Sequence, residues 1–521
     1  MKKKMSKPLA AILAAAMSLS LLSGCGGSSD SASGDTQTVA EDSSSGGGSN
    51  DSQESSDSGD MYTITMALIG NEQPRQEEIW AKVNALVEKD LNMHVNFIVL
   101  GYGDYVNRLN LMLSGGDKLD ILPINNGQAG SYINAGQIVD LKDYIYDYGQ
   151  DIIDSLGEDI ATSAAVQGFV YGTPPNKESA SRAGIVMRKD IVDEVGIDVD
   201  SIHTYADLTA VFEKVKAAHP ELDCIAGTNI LIQVPTWDPL MDQFGVLPND
   251  GQDTTVVNLF EYDDFVNHAR LVNEWYKAGY VKLDAATTTE TSQNLVKAGS
   301  LFSYFSPIKP GFLAQENVAC NQEMVTAYID KDDGSVSNII CSNNVNFFDW
   351  GIAQQSEDKV KAMQFLNYCY SSPEWNNLMN FGEEGVDYEK VDGSDIMIHY
   401  PEGADTASLY HFNMGWMLPN QYLGYVWEGN PEDVWQQYQD FNDSATYSKA
   451  FGFFADTSSL STELTALYSV YNEYMNSIST GSVSDFDATM KDFNDKLYAA
   501  GLQKVMDLKQ EQLDAWLASQ Q

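Results

Sequence analysis

The chain predicts an α/β protein of more than one lobe, and three observations carry that prediction. From Met61 onward, strand-like and helix-like segments alternate, which implies a mostly parallel sheet with helices on both faces. The stretch 61–521 is far too long for a single hydrophobic core and divides into two or three lobes. With 43% hydrophobic and 11% aromatic residues, it has ample apolar material to fill them.

The first segment stands apart from this pattern. Lys2, Lys3, Lys4 and Lys7 precede an apolar run over 8–22 that ends in Leu22-Ser23-Gly24-Cys25. The run is short for a membrane span and stops at small residues before one cysteine, the pattern of a lipoprotein signal peptide over 1–24. Cys25 is therefore expected to become the lipidated first residue of the mature chain, on the outer face of the cytoplasmic membrane. Residues 26–60 contain no Lys, Arg or aromatic residue and are rich in Ser, Gly and Asp. Such a segment has almost nothing to bury, so 25–60 reads as a disordered tether with a reach of about 30 Å.

Folding begins near Met61. Tyr62, Ile64, Met66 and Leu68 alternate as one face of a strand, and Ile79, Val83, Leu86 and Val87 give 77–91 helical periodicity. A second strand follows at 95–100, a helix at 105–113 with Ser114-Gly115-Gly116 as its stop, and a buried third strand at 120–124. A second unit opens after Tyr171-Gly172-Thr173-Pro174-Pro175, with a crossover to Arg182 and a new strand at 183–188. Thr204 with Asp207 reads as a capping box for a helix striped by Leu208, Val211, Phe212 and Val215. Ser356 is the expected cap of a helix carrying Ala362, Phe365, Leu366 and Cys369. Phe486, Met490, Phe493 and Leu497 mark one late amphipathic helix, and another reaches Trp516.

Charge and cysteines narrow the function. The formal net charge is −45, and removing the four signal-peptide lysines takes the mature chain to −49. A phosphate backbone is bound through clustered Lys and Arg, so nucleic acid is not an expected partner. Cys224, Cys320, Cys341 and Cys369 lack paired metal-ligand spacing; were a disulfide to form, Cys320 with Cys341 is the expected couple. There is no G-x-S-x-G elbow, no histidine pair with metal spacing and no phosphate-binding glycine loop. Glu383 and Glu384 are adjacent, a poor arrangement for a glycosidase pair, and the 330–334 turn lacks calcium-loop spacing.

A set of motifs then resembles a known family. Asp120-Ile121-Leu122-Pro123 leading into 132–141, the 168–174 segment Gly-Phe-Val-Tyr-Gly-Thr-Pro, the strand-helix opening at 184–196, and Trp350-Gly351-Ile352-Ala353 with the helix at 359–368 stand in the order of family 1 extracellular solute-binding lipoproteins of ABC importers. The 382–388 segment and the tail from Ala500 are similar to a Gram-positive subgroup with an extended C-terminal region. The resemblance implies a type II periplasmic-binding-protein-like fold with a cleft between two lobes: 61–178 with 292–352 as lobe 1, 179–291 with 353–480 as lobe 2, and C-terminal helices over 481–521. It implies a monomeric receptor that hands its ligand to permease subunits, with no cofactor, no metal and no catalysis.

Sugar recognition needs aromatic faces for C–H groups and amides, carboxylates or guanidinium for hydroxyls. The candidates are Tyr102, flanked by glycines at the end of strand two; Asn125 and Asn126, after strand three; and Tyr171, in the crossover. Trp237 and Asp238 occupy a second-lobe loop, and Tyr304 and Phe305 lie in the expected return to lobe 1. Trp416 lies between turn-like segments where the family supplies a stacking ring, and Arg182, at the crossover, is the candidate partner of an anionic ligand or of a carboxylate. Core packing and a structural salt bridge are the competing roles for these rings and for Arg182. Trp275, Trp375 and Trp435 sit on helical stripes and are assigned to packing. The ligand expected first is an oligosaccharide, the second a peptide or acidic solute; a surface hydrolase or adhesion lipoprotein is the third reading.

Overall fold

A computed structural model describes residues 61–520, apart from 102–104, 228–230, 232–235, 289, 343–344, 346–347 and 413, and apart from the side chains of Asn126 and Val318. The expectations for the signal peptide, Cys25 and the tether lie outside the described residues. The first sheet contains β1 (Tyr62–Ile69), β2 (Met93–Leu100) and β3 (Ile121–Asn125), all parallel, with a late strand, Phe348–Ile352, antiparallel at its edge. The alternation in β1 understates its burial. Thr65, Ala67 and Ile69 are as covered as Ile64, Met66 and Leu68, because helices pack on both faces of a parallel sheet. The helix Gln76–Leu91 seals one face through Ile79, Val83 and Val87, each contributing about 1.5–3 kcal/mol by leaving water.

The crossover leads to a second sheet made of β4 (Arg182–Arg188), β5 (Asp223–Ile225), β6 (Leu301–Ile308) and β7 (Met324–Tyr328), in the order β5-β6-β4-β7. β4 runs antiparallel to both neighbours, with Arg182 opposite Ile308 and Gly184 opposite Tyr328. Only glycine fits at 184, since a Cβ there would stand 2.3 Å from the Ala327 carbonyl oxygen.

This pairing corrects the expected lobe boundaries. Residues 301–328 do not return to the first lobe; they complete the second sheet, and only β8 (Phe348–Ile352) goes back. Nor do residues after 353 open in the second lobe. The helix Lys359–Ser371 packs on β1 and β8 and buries Phe365 and Leu366, and Pro373–Phe381 buries Trp375 and Met379 in the same core beside the helix Gln76–Leu91. The physical reason is register: β6 finds its hydrogen-bonding partner in β4, more than a hundred residues earlier, which local periodicity does not reveal.

The C-terminal helices Ser461–Ser479, Phe486–Ala500 and Leu502–Ser519 belong to the second core, where Phe493 packs on Phe260 at 4.8 Å. Phe486, Met490, Phe493 and Leu497 are buried as their spacing predicts. Lys509 is buried and ties the last helix to Asp242 at 2.7 Å and to the Gly245 carbonyl at 3.2 Å. Between the two cores run three neighbouring segments: Ser181 bridges to Ile339, and Ile339 pairs with Thr446. The Asn442 side-chain oxygen clasps the crossover by accepting from the Ser179 and Ala180 amides at 2.8 and 3.0 Å.

Two smaller expectations change. Asp358, not Ser356, caps the helix at 359–371 by accepting from the Lys361 amide, while the Ser356 hydroxyl donates to buried Asp120 at 2.5 Å. Cys224, Cys320, Cys341 and Cys369 are all free and buried, so the Cys320–Cys341 couple does not form. Cys320 contacts the Tyr304 hydroxyl, whereas Cys341 donates toward the Trp237 carbonyl. Burial pushes the Cys224 thiol up to about 12.

Candidate functional site

In an open parallel sheet, ligands bind beyond the carboxyl ends of the strands, where helix N-termini and loops converge. Here β1, β2 and β3 end at Ile69, Leu100 and Asn125, and antiparallel β8 begins at that same edge with Phe348 opposite Asn125. Three rings gather there. The centroid of Phe348 lies 6.0 Å from Tyr105 and 5.8 Å from Trp416, and Tyr105 and Trp416 are both half-buried. The Asn125 side chain caps the following helix by accepting from the Gly127 amide at 3.0 Å and remains partly exposed.

Trp416 is held in place by its neighbours. The Met414 amide donates to Asn380 Oδ1 at 2.8 Å, and the buried Trp350 indole N–H donates to the Met417 carbonyl at 2.9 Å. Gly70 lets Phe412 approach, since a Cβ at 70 would lie 2.7 Å from its ring. The result is a strip of aromatic surface beside an amide, with part of each flanking ring open to solvent. That is a surface for packing C–H groups and pairing hydroxyls.

At the matching edge of the second sheet, Arg182 chelates Asp330 with contacts of 2.8 and 2.9 Å and lies over the Tyr328 ring at 3.9 Å. Beside it opens a cavity of about 400 Å³ whose polar lining includes Lys177, Glu178, Ser306, Lys309 and Gln315. Lys309 pairs with Glu178 at 2.6 Å, and the Lys177 ammonium donates to the Glu178 carbonyl oxygen at 2.8 Å. Burial pushes the Glu178 carboxyl up, but Lys177 and Lys309 outweigh it and hold the group below its ordinary range. Burial draws the Lys177 ammonium down.

The structure thus brings Asn125 and Trp416 together at one edge and puts Arg182 at the other. Tyr102 lies outside the described residues, and Asn126 opens the helix Asn126–Asn134 with its side chain outside the described set. The remaining candidates are corrected. Trp237 is 1% exposed, its ring in the second core, and Asp238 accepts from the Leu240 and Ser342 amides. Tyr304 is buried with its hydroxyl on Glu316, and Phe305 is buried against Tyr205. Tyr171 is buried beside Asp349, whose carboxyl burial pushes well above its ordinary range while the Tyr171 hydroxyl pulls it down. Arg182 makes a structural ion pair. Phe348 and Tyr105 were missed; their signal is position, since each begins an element at the carboxyl edge. Glu383 is engaged by Arg75 and Lys82.

Two α/β lobes joined by three neighbouring segments, with polar and aromatic groups at the strand ends of each sheet, are the architecture of a two-lobe ligand-binding protein. The model of the family described as bacterial extracellular solute-binding protein matches residues 82–383, and the chain belongs to that family. A domain of unknown function (DUF3502) matches residues 449–518. A carbohydrate ABC transporter substrate-binding protein of Streptococcus pneumoniae serotype 4 (strain ATCC BAA-334 / TIGR4) is 26% identical over 480 residues, covering 89% of this chain and 93% of that protein. The N-glycan transport solute-binding protein NgtS of Streptococcus pneumoniae has the same fold. One crystal structure of it aligns at 23% identity over 88% of this chain and 100% of that one, with a TM-score of 0.78. Its complex with Man5GlcNAc aligns at 23% over 88% and 99%, with a TM-score of 0.66. Among the described residues no helix is long and apolar enough to cross a membrane.

Proposed function

We propose that this protein is a lipid-anchored receptor that captures an oligosaccharide between its lobes and presents it to the permease of an ABC importer. The observation that carries the reading is the Tyr105–Phe348–Trp416 strip beside Asn125 at the carboxyl edge of the first sheet. The names of its relatives support it, since they describe carbohydrate transport and an N-glycan complex. Nothing in the site calls for chemistry: it is a surface for holding a ligand while the lobes close, and binding shifts a pre-existing equilibrium toward the closed form.

Titration calorimetry of the mature chain with Man5GlcNAc and other neutral oligosaccharides tests the reading. Saturable binding with the glycan recovered intact supports it, and consumption of the glycan sinks it. The anchor is tested separately by labelled palmitate, which should enter the full-length chain and not its Cys25→Ala variant. A second reading, an acidic sugar or acidic peptide, draws on Lys177, Arg182 and Lys309 around one cavity in so acidic a chain. Affinity for such a ligand should fall as salt screens those charges.

A further inference from the structure

A cavity larger than the one beside Arg182 lies away from the carboxyl edge. It is a groove of about 1370 Å³ with one wall from 142–170 of the first lobe and the other from 447–454 and 512–520 of the second. Its first-lobe wall hangs from the opposite end of the sheet. The Leu141 amide bonds the Val170 carbonyl and the Val139 amide bonds that of Ile352, which itself pairs with Ile121 at the start of β3. The groove and the aromatic strip are therefore separate places.

Rings dominate the groove. Tyr146 is 48% exposed and Tyr447 43% exposed, and Phe451, Phe454 and Trp516 stand half-buried around them. Tyr447 meets the edge of Phe451 at 5.0 Å, and Trp516 is braced on Phe453 at 5.9 Å, so the indole has a fixed seat. Between the rings sit hydrogen-bonding groups: the Gln167 amide, raised on a turn where φ is +51° at 167, and the Glu158 carboxylate, which accepts from the Tyr146 hydroxyl at 2.9 Å. Among the described residues that line the groove, Lys142 is the single cation against Glu158 and Asp159. In a chain of net charge −45 this lining repels anions, offers no fully apolar floor for a lipid tail, and suits a neutral polyhydroxylated ligand that packs C–H faces on rings.

We infer that this groove is a second binding site, for a neutral saccharide, distinct from the cleft site and not dependent on the cleft reading. One wall comes from the region matched only as a domain of unknown function, which thereby gains a role beyond filling the second core. Because the walls lie on either side of the crossover, a saccharide bridging them is coupled to the angle between the lobes. Its occupancy and that of the cleft change each other's affinity by a common factor.

The test uses the mature chain with two probes, Man5GlcNAc and maltotetraose, read by saturation-transfer NMR and tryptophan fluorescence. The double variant Tyr146→Ala with Tyr447→Ala removes two exposed rings, and Trp516→Ala removes the braced one. Trp416→Ala serves as the cleft control. Groove binding of at least one probe should persist in Trp416→Ala and weaken tenfold or more in both groove variants, with melting temperature nearly unchanged in the double variant. The inference is overturned if neither probe binds Trp416→Ala, or if the double variant binds both probes as the parent does. Loss of all signal in the groove variants, with binding by Trp416→Ala equal to that of the parent, would leave the groove standing and remove the cleft reading instead.

Discussion

Trp237 and Trp416 are the same side chain in two regions that read alike: a tryptophan in a loop of a chain that resembles a solute receptor. The structure treats them oppositely. Around 237 the loop folds back over the second core, with the indole packed near Phe265 and Asp238 spending its oxygens on the amides of Leu240 and Ser342. Around 416 the loop lies over the carboxyl edge of the first sheet, where Asn380 and Met417 pin it and the ring stays half-exposed beside Phe348. The difference teaches that a ring becomes a recognition surface through where its loop is tied, not through its neighbours in sequence.

Mutation can break that contrast. Trp237→Ala should cost about 3–5 kcal/mol of stability, the usual penalty for emptying a large buried site, seen as a lower urea midpoint. An unchanged midpoint would return Trp237 to the cleft. Next, Arg182→Met strips the guanidinium from Asp330, whose side chain is only 8% exposed, and should cost about 3 kcal/mol in thermal or urea unfolding. If stability holds and binding of acidic ligands falls instead, Arg182 is a recognition residue and the ion pair is incidental. Trp416→Ala should weaken oligosaccharide binding about tenfold, or about 1.4 kcal/mol, with a smaller loss of stability than Trp237→Ala. Full affinity in that variant would move the site off the strip.

The smallest effect is a matter of pH. Asp349 is buried and its carboxyl is held well above the ordinary range, so the folded state keeps a proton that the unfolded chain releases above about pH 4. Where the folded state binds more protons, stability falls as pH rises. Asp349→Asn should therefore raise the melting temperature at pH 7 and change it little at pH 4. An equal shift at both values would mean that titration of Asp349 is not the cause.

Much of the fold was legible because it is local. The strand at Tyr62, the helix at Ile79, the stop at Gly115-Gly116 and the stripe Phe486-Met490-Phe493-Leu497 all follow from period and punctuation. The site was legible only in part. Asn125 could be placed because it ends a buried parallel strand, while Phe348 and Tyr105 were hidden because their importance comes from the edge they share and not from any motif.

The sequence by itself determined the alternation of strand and helix, the order of motifs that marks the family, and the large surplus of acidic residues. Tertiary structure alone decided that β6 pairs with β4, that the helices over 359–381 pack in the first lobe, and that Trp416 rather than Trp237 faces the solvent. The reason is range: periodicity and turn chemistry act over a few residues, whereas sheet partners and ring burial are settled by contacts between segments a hundred or more positions apart.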